Sequence, residues 1–287
     1  MTGLLSIIFS AVTSVVIAHF LKVTESQYLN TIRVLTVNYL VASTLAFSYT
    51  YNIGVQEIDV EILFQPLLLS VGVGIIFIAN FFIYSKSVYH NGVGISIAAM
   101  RISLIIPVIL SVIWYLESLT YTQWAGVLLV FVILLLLIPQ KNKVIYRSFK
   151  AGWLLILLFI GTGIGDASMK IYEVEYSGII GKEFFMGIVF LVSFFAGLCV
   201  TAYKKSWKFS RKEVLLGISI GIPNLLTSLF LIEALQLMNG AIVYSSVNVL
   251  TVLGGTLLGV ICWKDKFSTV QWIGIFLTLI SIFLLIL

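Results

Sequence analysis

"ESLTYTQWAGV", Glu117 to Val127, has a counterpart in "DKFSTVQWIGI", Asp265 to Ile275. Each stretch begins on an acidic residue and carries Gln-Trp-x-Gly at the same internal spacing. The offset between them is 148 residues, from 117 to 265. The same offset pairs Asn91-Gly92 with Asn239-Gly240 and Phe82 with Phe230. Several separate matches at one offset point to a duplicated unit. Both stretches lead into long apolar runs, "VLLVFVILLLL" and "IFLTLISIFLLIL".

Composition says what kind of unit is duplicated. The 287 residues are 60% hydrophobic and 10% charged, with mean hydropathy +1.12. Soluble domains are about 45–50% apolar and about 25% charged. A bilayer solvates the excess apolar surface that a soluble core cannot hide. The apolar runs are continuous, whereas barrel strands would alternate apolar and polar residues. The expected class is an all-α integral membrane protein.

A spanning helix needs roughly 20 apolar residues. Ten such segments fit, at 3–21, 32–51, 64–87, 93–115, 121–139, 151–172, 180–203, 213–237, 240–262 and 269–287. The first has no Lys or Arg before it and reads as a retained helix, not a signal peptide. The repeat therefore comprises five helices: 1–139, a polar linker at 140–150, and 151–287. Five is odd, so the second copy enters the membrane from the opposite side. Two inverted five-helix repeats are the expected architecture, an arrangement common among transporters with a mid-membrane site.

The chain resembles the drug/metabolite transporter superfamily, and within it the ten-helix EamA-type transporters. The resemblance rests on the two five-helix halves and on the helix-turn-helix closing each. These are "ISLIIPVILSVIWYLESLTYTQWAGVLLVFVILLLL" and "VNVLTVLGGTLLGVICWKDKFSTVQWIGIFLTLISIFLLIL". It covers essentially the whole chain and implies transport of a small solute. The family moves amino acids, sugars, nucleotide derivatives and drugs, so the resemblance does not name the cargo.

The net charge is +5. Its basic residues sit in short clusters between apolar segments, which suits cytoplasmic loops and not nucleic acid. One side carries Lys22, Arg33, Lys86, Lys141, Lys143, Arg147, Lys150, Lys204, Lys205, Lys208, Arg211, Lys212, Lys264 and Lys266. The other carries Lys170 and Lys182, with the acids Glu57, Asp59, Glu61 and Glu117. The positive-inside rule then places both termini outside a plasma (inner) membrane. The EamA-type family often has both in the cytoplasm, so the expectation departs from that pattern.

Ionisable residues inside spanning helices are costly and mark functional sites by default. Arg101 lies about eight residues, or about 12 Å, into the fourth segment. Its fork of donors suits a substrate carboxylate or phosphate, and the alternative is snorkelling to the interface. Asp166 and Lys170 are four apart and share a helix face. They read either as an internal ion pair or as a cavity-facing acid tuned by its neighbour. Glu233 lies near a helix end, where solvation at the headgroups explains it. Asp166 and Glu233 are the proton-coupling candidates. Asn80, Tyr84, Asn224 and Asn248 are further candidates for the substrate pathway, with interhelical hydrogen bonding as the plainer role of each. Tyr244 and Trp114 are candidate stacking surfaces. The pairs Gly161/Gly165, Gly217/Gly221 and Gly255/Gly259 have the spacing that lets helices approach closely. Cys199 and Cys262 read as buried free thiols.

"GTGIG", Gly161 to Gly165, lies in a spanning segment and does not match a dinucleotide loop. There is no H-E-x-x-H, G-x-S-x-G or Walker loop, so neither an enzyme nor an ATP-driven pump is expected. No cofactor or metal is implied. The expected function is a secondary transporter or facilitator of a small organic metabolite or drug, working by alternating access in the export direction. The alternative is a non-transporting membrane scaffold or sensor on the same fold. The expected partners are a small-molecule substrate and the bilayer, in a monomer or homodimer.

Overall fold

The computed structural model describes residues 2–53, 60–91, 93–137, 151–264 and 269–287. The 140–150 linker, with its basic residues, lies outside them, as do Gly92, Asp265 and Lys266. Every regular element among the described residues is helical: α1 (Gly3–Ser26), α2 (Thr31–Ile53), α3 (Val60–Asn91), α4 (Val93–Ile102), α5 (Ile105–Ile109), α6 (Tyr121–Leu137), α7 (Gly152–Ile171), α8 (Lys182–Tyr203), α9 (Arg211–Leu237), α10 (Gly240–Trp263) and α11 (Thr269–Ile286). Wide π-helical turns follow α5 at Leu110–Trp114 and α7 at Tyr172–Tyr176.

Among the described residues, eight helices are long and apolar enough to cross a membrane. They include Ile95–Trp114, which joins α4, α5 and the first π turn. Shorter apolar helices cover Tyr121–Leu136 and Trp272–Ile286. Between its two end turns, continuous helix satisfies the backbone donors internally, as an apolar surround demands. The side-chain distribution matches that surround. Phe64, Leu68, Ile113, Phe276 and Phe283 are exposed, while Ser6, Ser43, Ser70, Ser193 and Ser281 are buried.

Helix ends differ from the sequence boundaries by up to about one turn, because polar flanks continue the helix. Thus α1 runs to Ser26 and not to 21, and α3 covers Val60–Asn91 and not 64–87. Proline explains the break in the fourth segment. Pro107 has no N–H to give Ser103, and its ring crowds that carbonyl. Ser103 and Leu104 accordingly separate α4 from α5. At the ends of α1, α8 and α10, the left-handed residues are Tyr28, Lys205 and Lys264, not glycine. The two lysines place positive charge at the negative helix terminus, which favours them there.

The chain forms two compact units, and neither is a sequence half. Unit 1 holds Met1–Ile78 and Ile171–Gln236; unit 2 holds Ala79–Lys170 and Leu237–Leu287. Each draws helices from both halves of the sequence. In unit 1, α2 packs on α8, and in unit 2, α6 packs on α11. Both are pairs of counterparts at the 148-residue offset.

Small residues set further contacts within unit 1. A Cβ on Gly221 would lie 2.8 Å from Val41 Cβ, and one on Gly74 would lie 2.7 Å from Val189 O. Val41 and Val189 are themselves 148 residues apart. The α9–α2 contact is thus mirrored by α3–α8. Gly217 sits as tightly, its Cβ position 2.8 Å from Val34 O. Backbone cannot yield there, so Gly217→Ala should destabilise the protein by about 1–3 kcal/mol. Gly72 has nothing within 4 Å of its Cβ position, so Gly72→Ala should be neutral or mildly stabilising. Unfolding midpoints of the two variants in detergent check the contrast.

Two expectations need correction. Gly255 also has open space at its Cβ position, so it is not a packing contact. Cys199 and Cys262 are exposed, not buried. A thiol in an apolar run is as compatible with an outward face as with a core, because outward here is apolar too.

Candidate functional site

The charged candidates divide between the units. Unit 2 holds Arg101, Asp166 and Lys170, with Asn80, Tyr84, Tyr244 and Asn248. Unit 1 holds Asn224 and Glu233.

In unit 2, helical spacing aligns polar groups on two helices. Tyr244, Asn248 and Thr251 fall at i, i+4 and i+7 of α10, on one face. Thr162, Asp166 and Lys170 fall at i, i+4 and i+8 of α7. Arg101, in the last turn of α4, donates from Nη1 to Asn248 Oδ1 at 3.1 Å. Asn248 Nδ2 donates to Tyr244 O at 3.1 Å. The Tyr244 hydroxyl donates to the backbone O of Asp166 at 2.7 Å. A hydrogen-bonded chain therefore links α4 to α7 through α10. Arg101 and Asp166 feel each other's charge, and Tyr84 lies near Arg101. Asn80 packs against Gly161, where the absent Cβ makes room for the amide. Buried hydroxyls of Ser245 and Thr251, on α10, have no hydrogen-bond partner.

Lys170 does not pair with Asp166. Its Nζ lies 2.8 Å from Glu117 Oε1, with the two side chains 5% and 12% exposed. The other carboxylate oxygen of Glu117 accepts from Ala241 N at 3.4 Å, in the first turn of α10. That helix end is positively polarised, so the carboxylate is favoured there. Lys170 Nζ also stands 6.0 Å from the centre of the Tyr115 ring. Asn239 Nδ2 donates to Ser118 O at 2.9 Å and ties the same loop down. Glu117 was visible in the sequence only as a loop acid.

In unit 1, Asn224 Nδ2 donates to Asn38 Oδ1 at 3.1 Å, joining α9 to α2. Glu233 is not merely solvated, since Lys182 Nζ lies 3.1 Å from its Oε2. A second acid there, Glu213, is 3% exposed and is absent from the sequence-based candidates. It accepts from Asn30 N at 3.0 Å, Ser210 N at 2.7 Å and Arg33 Nη1 at 3.1 Å. Glu213 N in turn donates to Ser210 Oγ at 3.2 Å. This is a capping box, and "SRKE" from Ser210 to Glu213 is its sequence signature.

No protein-family model matches this sequence. The chain is 27% identical over 288 residues to an uncharacterized protein of Haemophilus influenzae, across 98% of this chain and 97% of that protein. A protein of known crystal structure matches with TM-score 0.71 and 15% identity, over 97% of this chain and 96% of that one. At that identity the likeness is one of fold.

Proposed function

We propose that this chain is an EamA-type secondary transporter or facilitator that moves a small organic metabolite or drug across the plasma membrane. It has ten spans in two inverted five-helix repeats and exports its cargo by alternating access. The observation that carries this reading is the polar cluster of unit 2. Arg101 and Asp166 lie in apolar helices, in each other's field, with no ion pair joining them. A structural pair would be expected to close on itself, because an uncompensated charge in such surroundings is costly. Two opposite charges held apart with polar groups between them suit a bound solute.

The inverted repeat is supported by reciprocity. In a two-fold arrangement, residue i of one copy meets j of the other, and j meets i. The contact of Gly221 with Val41 and that of Gly74 with Val189 follow this rule within one residue.

Reconstituted protein tests the function: labelled metabolites should exchange across proteoliposomes but not across protein-free vesicles. Absence of exchange for every solute would favour the scaffold. For orientation, a reporter active only in the cytoplasm, fused after Leu287, should be silent, whereas activity would reverse the topology.

A further inference from the structure

Arg101 and Asp166 are more informative together than either is alone. Guanidinium has five N–H donors in a planar fork that matches a carboxylate. One nitrogen of Arg101 is committed to Asn248, and no carboxylate among the described residues pairs with the group. The Asp166 carboxylate can only accept. No hydrogen bond or ion pair among the described residues engages it, since Tyr244 uses the Asp166 backbone oxygen. Its neighbour on the helix face, Lys170, is held by Glu117. The unit thus offers one cationic and one anionic group with the α10 face between them. That face also carries the unpartnered, buried Thr251 hydroxyl, one turn from Asn248.

We propose that the solute is a small zwitterion, its carboxylate taken by Arg101 and its ammonium by Asp166. This rests on the reading of the cluster as the solute site. An anion without an amine would bring negative charge near Asp166. A cation without a carboxylate would bring positive charge near Arg101. A neutral solute would leave the two protein charges with only each other's field, and no paired group, in apolar surroundings. Only a bipolar solute compensates both. The Asn248 and Tyr244 bonds set the spacing by fixing α4 and α7 to the same helix.

Thermal unfolding of the purified full chain in detergent tests this, because a ligand of the folded state raises the midpoint. The probes are α-amino acids, β-alanine and 4-aminobutanoate, each beside its deaminated acid and its decarboxylated amine. At equal millimolar concentration, at least one zwitterion should raise the midpoint and its two singly charged relatives should not. Arg101→Gln should weaken that zwitterion by roughly 30-fold or more, and Arg101→Lys should recover part of the loss. In Asp166→Asn the deaminated acid should bind as well as the zwitterion, a change of preference that a purely structural role would not produce. The proposal is overturned if no zwitterion stabilises the wild-type chain, or if a singly charged relative does so equally. Wild-type discrimination alone decides it should the variants misfold. Exchange of singly charged solutes only would sink this inference and leave transport standing. Zwitterion binding without exchange would do the reverse.

Discussion

Glu117→Ala should lower the stability of the folded chain by about 3–5 kcal/mol, the range for removing one partner of a buried ion pair. Lys170 is 4% exposed and would lose the carboxylate at 2.8 Å. Ala241 N would lose its side-chain acceptor at the start of α10. The burial makes the difference. Exposed ion pairs are worth about 0–1 kcal/mol, and the Lys182–Glu233 pair, at 22% and 24% side-chain exposure, should lie much nearer that range. Adding Lys170→Met to Glu117→Ala also removes the ammonium that lost this carboxylate and should recover most of the loss, because apolar replacement of a buried pair is often neutral. Denaturant titration of folded protein in detergent measures all three variants. A single-variant loss below about 1 kcal/mol, or no recovery in the double variant, would contradict the account.

Glu213→Ala should cost about 2–4 kcal/mol, since a charged acceptor with several donors is lost from a buried position. The donors come from three places in unit 1: Asn30 before α2, Arg33 within α2, and Ser210 before α9. The side chain thus closes a capping box and ties two loops. Glu213→Gln separates these roles. Glutamine can still reach back to Ser210 N as in a capping box, but it no longer pairs with the Arg33 charge. Its loss should be clearly smaller. Equal losses for both variants would assign the effect to the ion pair alone.

The helical plan was readable because apolar surroundings leave a chain few options. Continuous apolar runs about 20 residues long have to be helices, and among the described residues eight helices are long and apolar enough to span, with two shorter apolar ones beside them. Gln-Trp-x-Gly recurs at one offset in the sequence, and the helices that pack as α2–α8 and α6–α11 are counterparts at that offset. Which helices gather into which unit was not readable, because grouping depends on side-chain fit at places such as Gly221 and Gly74. The meeting of Lys170 with Glu117 was hidden for a related reason. Asp166 is near it in sequence, but helix rotation and the turn after α5 bring Glu117 to the ammonium. Arg101 and Asn248 stand out as polar residues in apolar segments, but their hydrogen bond joins helices 147 residues apart in sequence and has no local signature. Glu213 had a local signature in "SRKE", and its burial is what raises it above an ordinary helix cap.

The central claim is that a small solute crosses the membrane by way of the Arg101–Asp166 cluster. The direct measurement is counterflow of labelled solutes in proteoliposomes containing wild-type protein, Arg101→Ala, Asp166→Asn or Glu233→Gln, at matched reconstitution. The panel holds zwitterions, carboxylates, amines and neutral metabolites. The account predicts that wild-type protein exchanges at least one solute, that both cluster variants lose most of that exchange, and that Glu233→Gln retains it. Exchange that survives intact in Arg101→Ala and Asp166→Asn, or no exchange by wild-type protein, would contradict it.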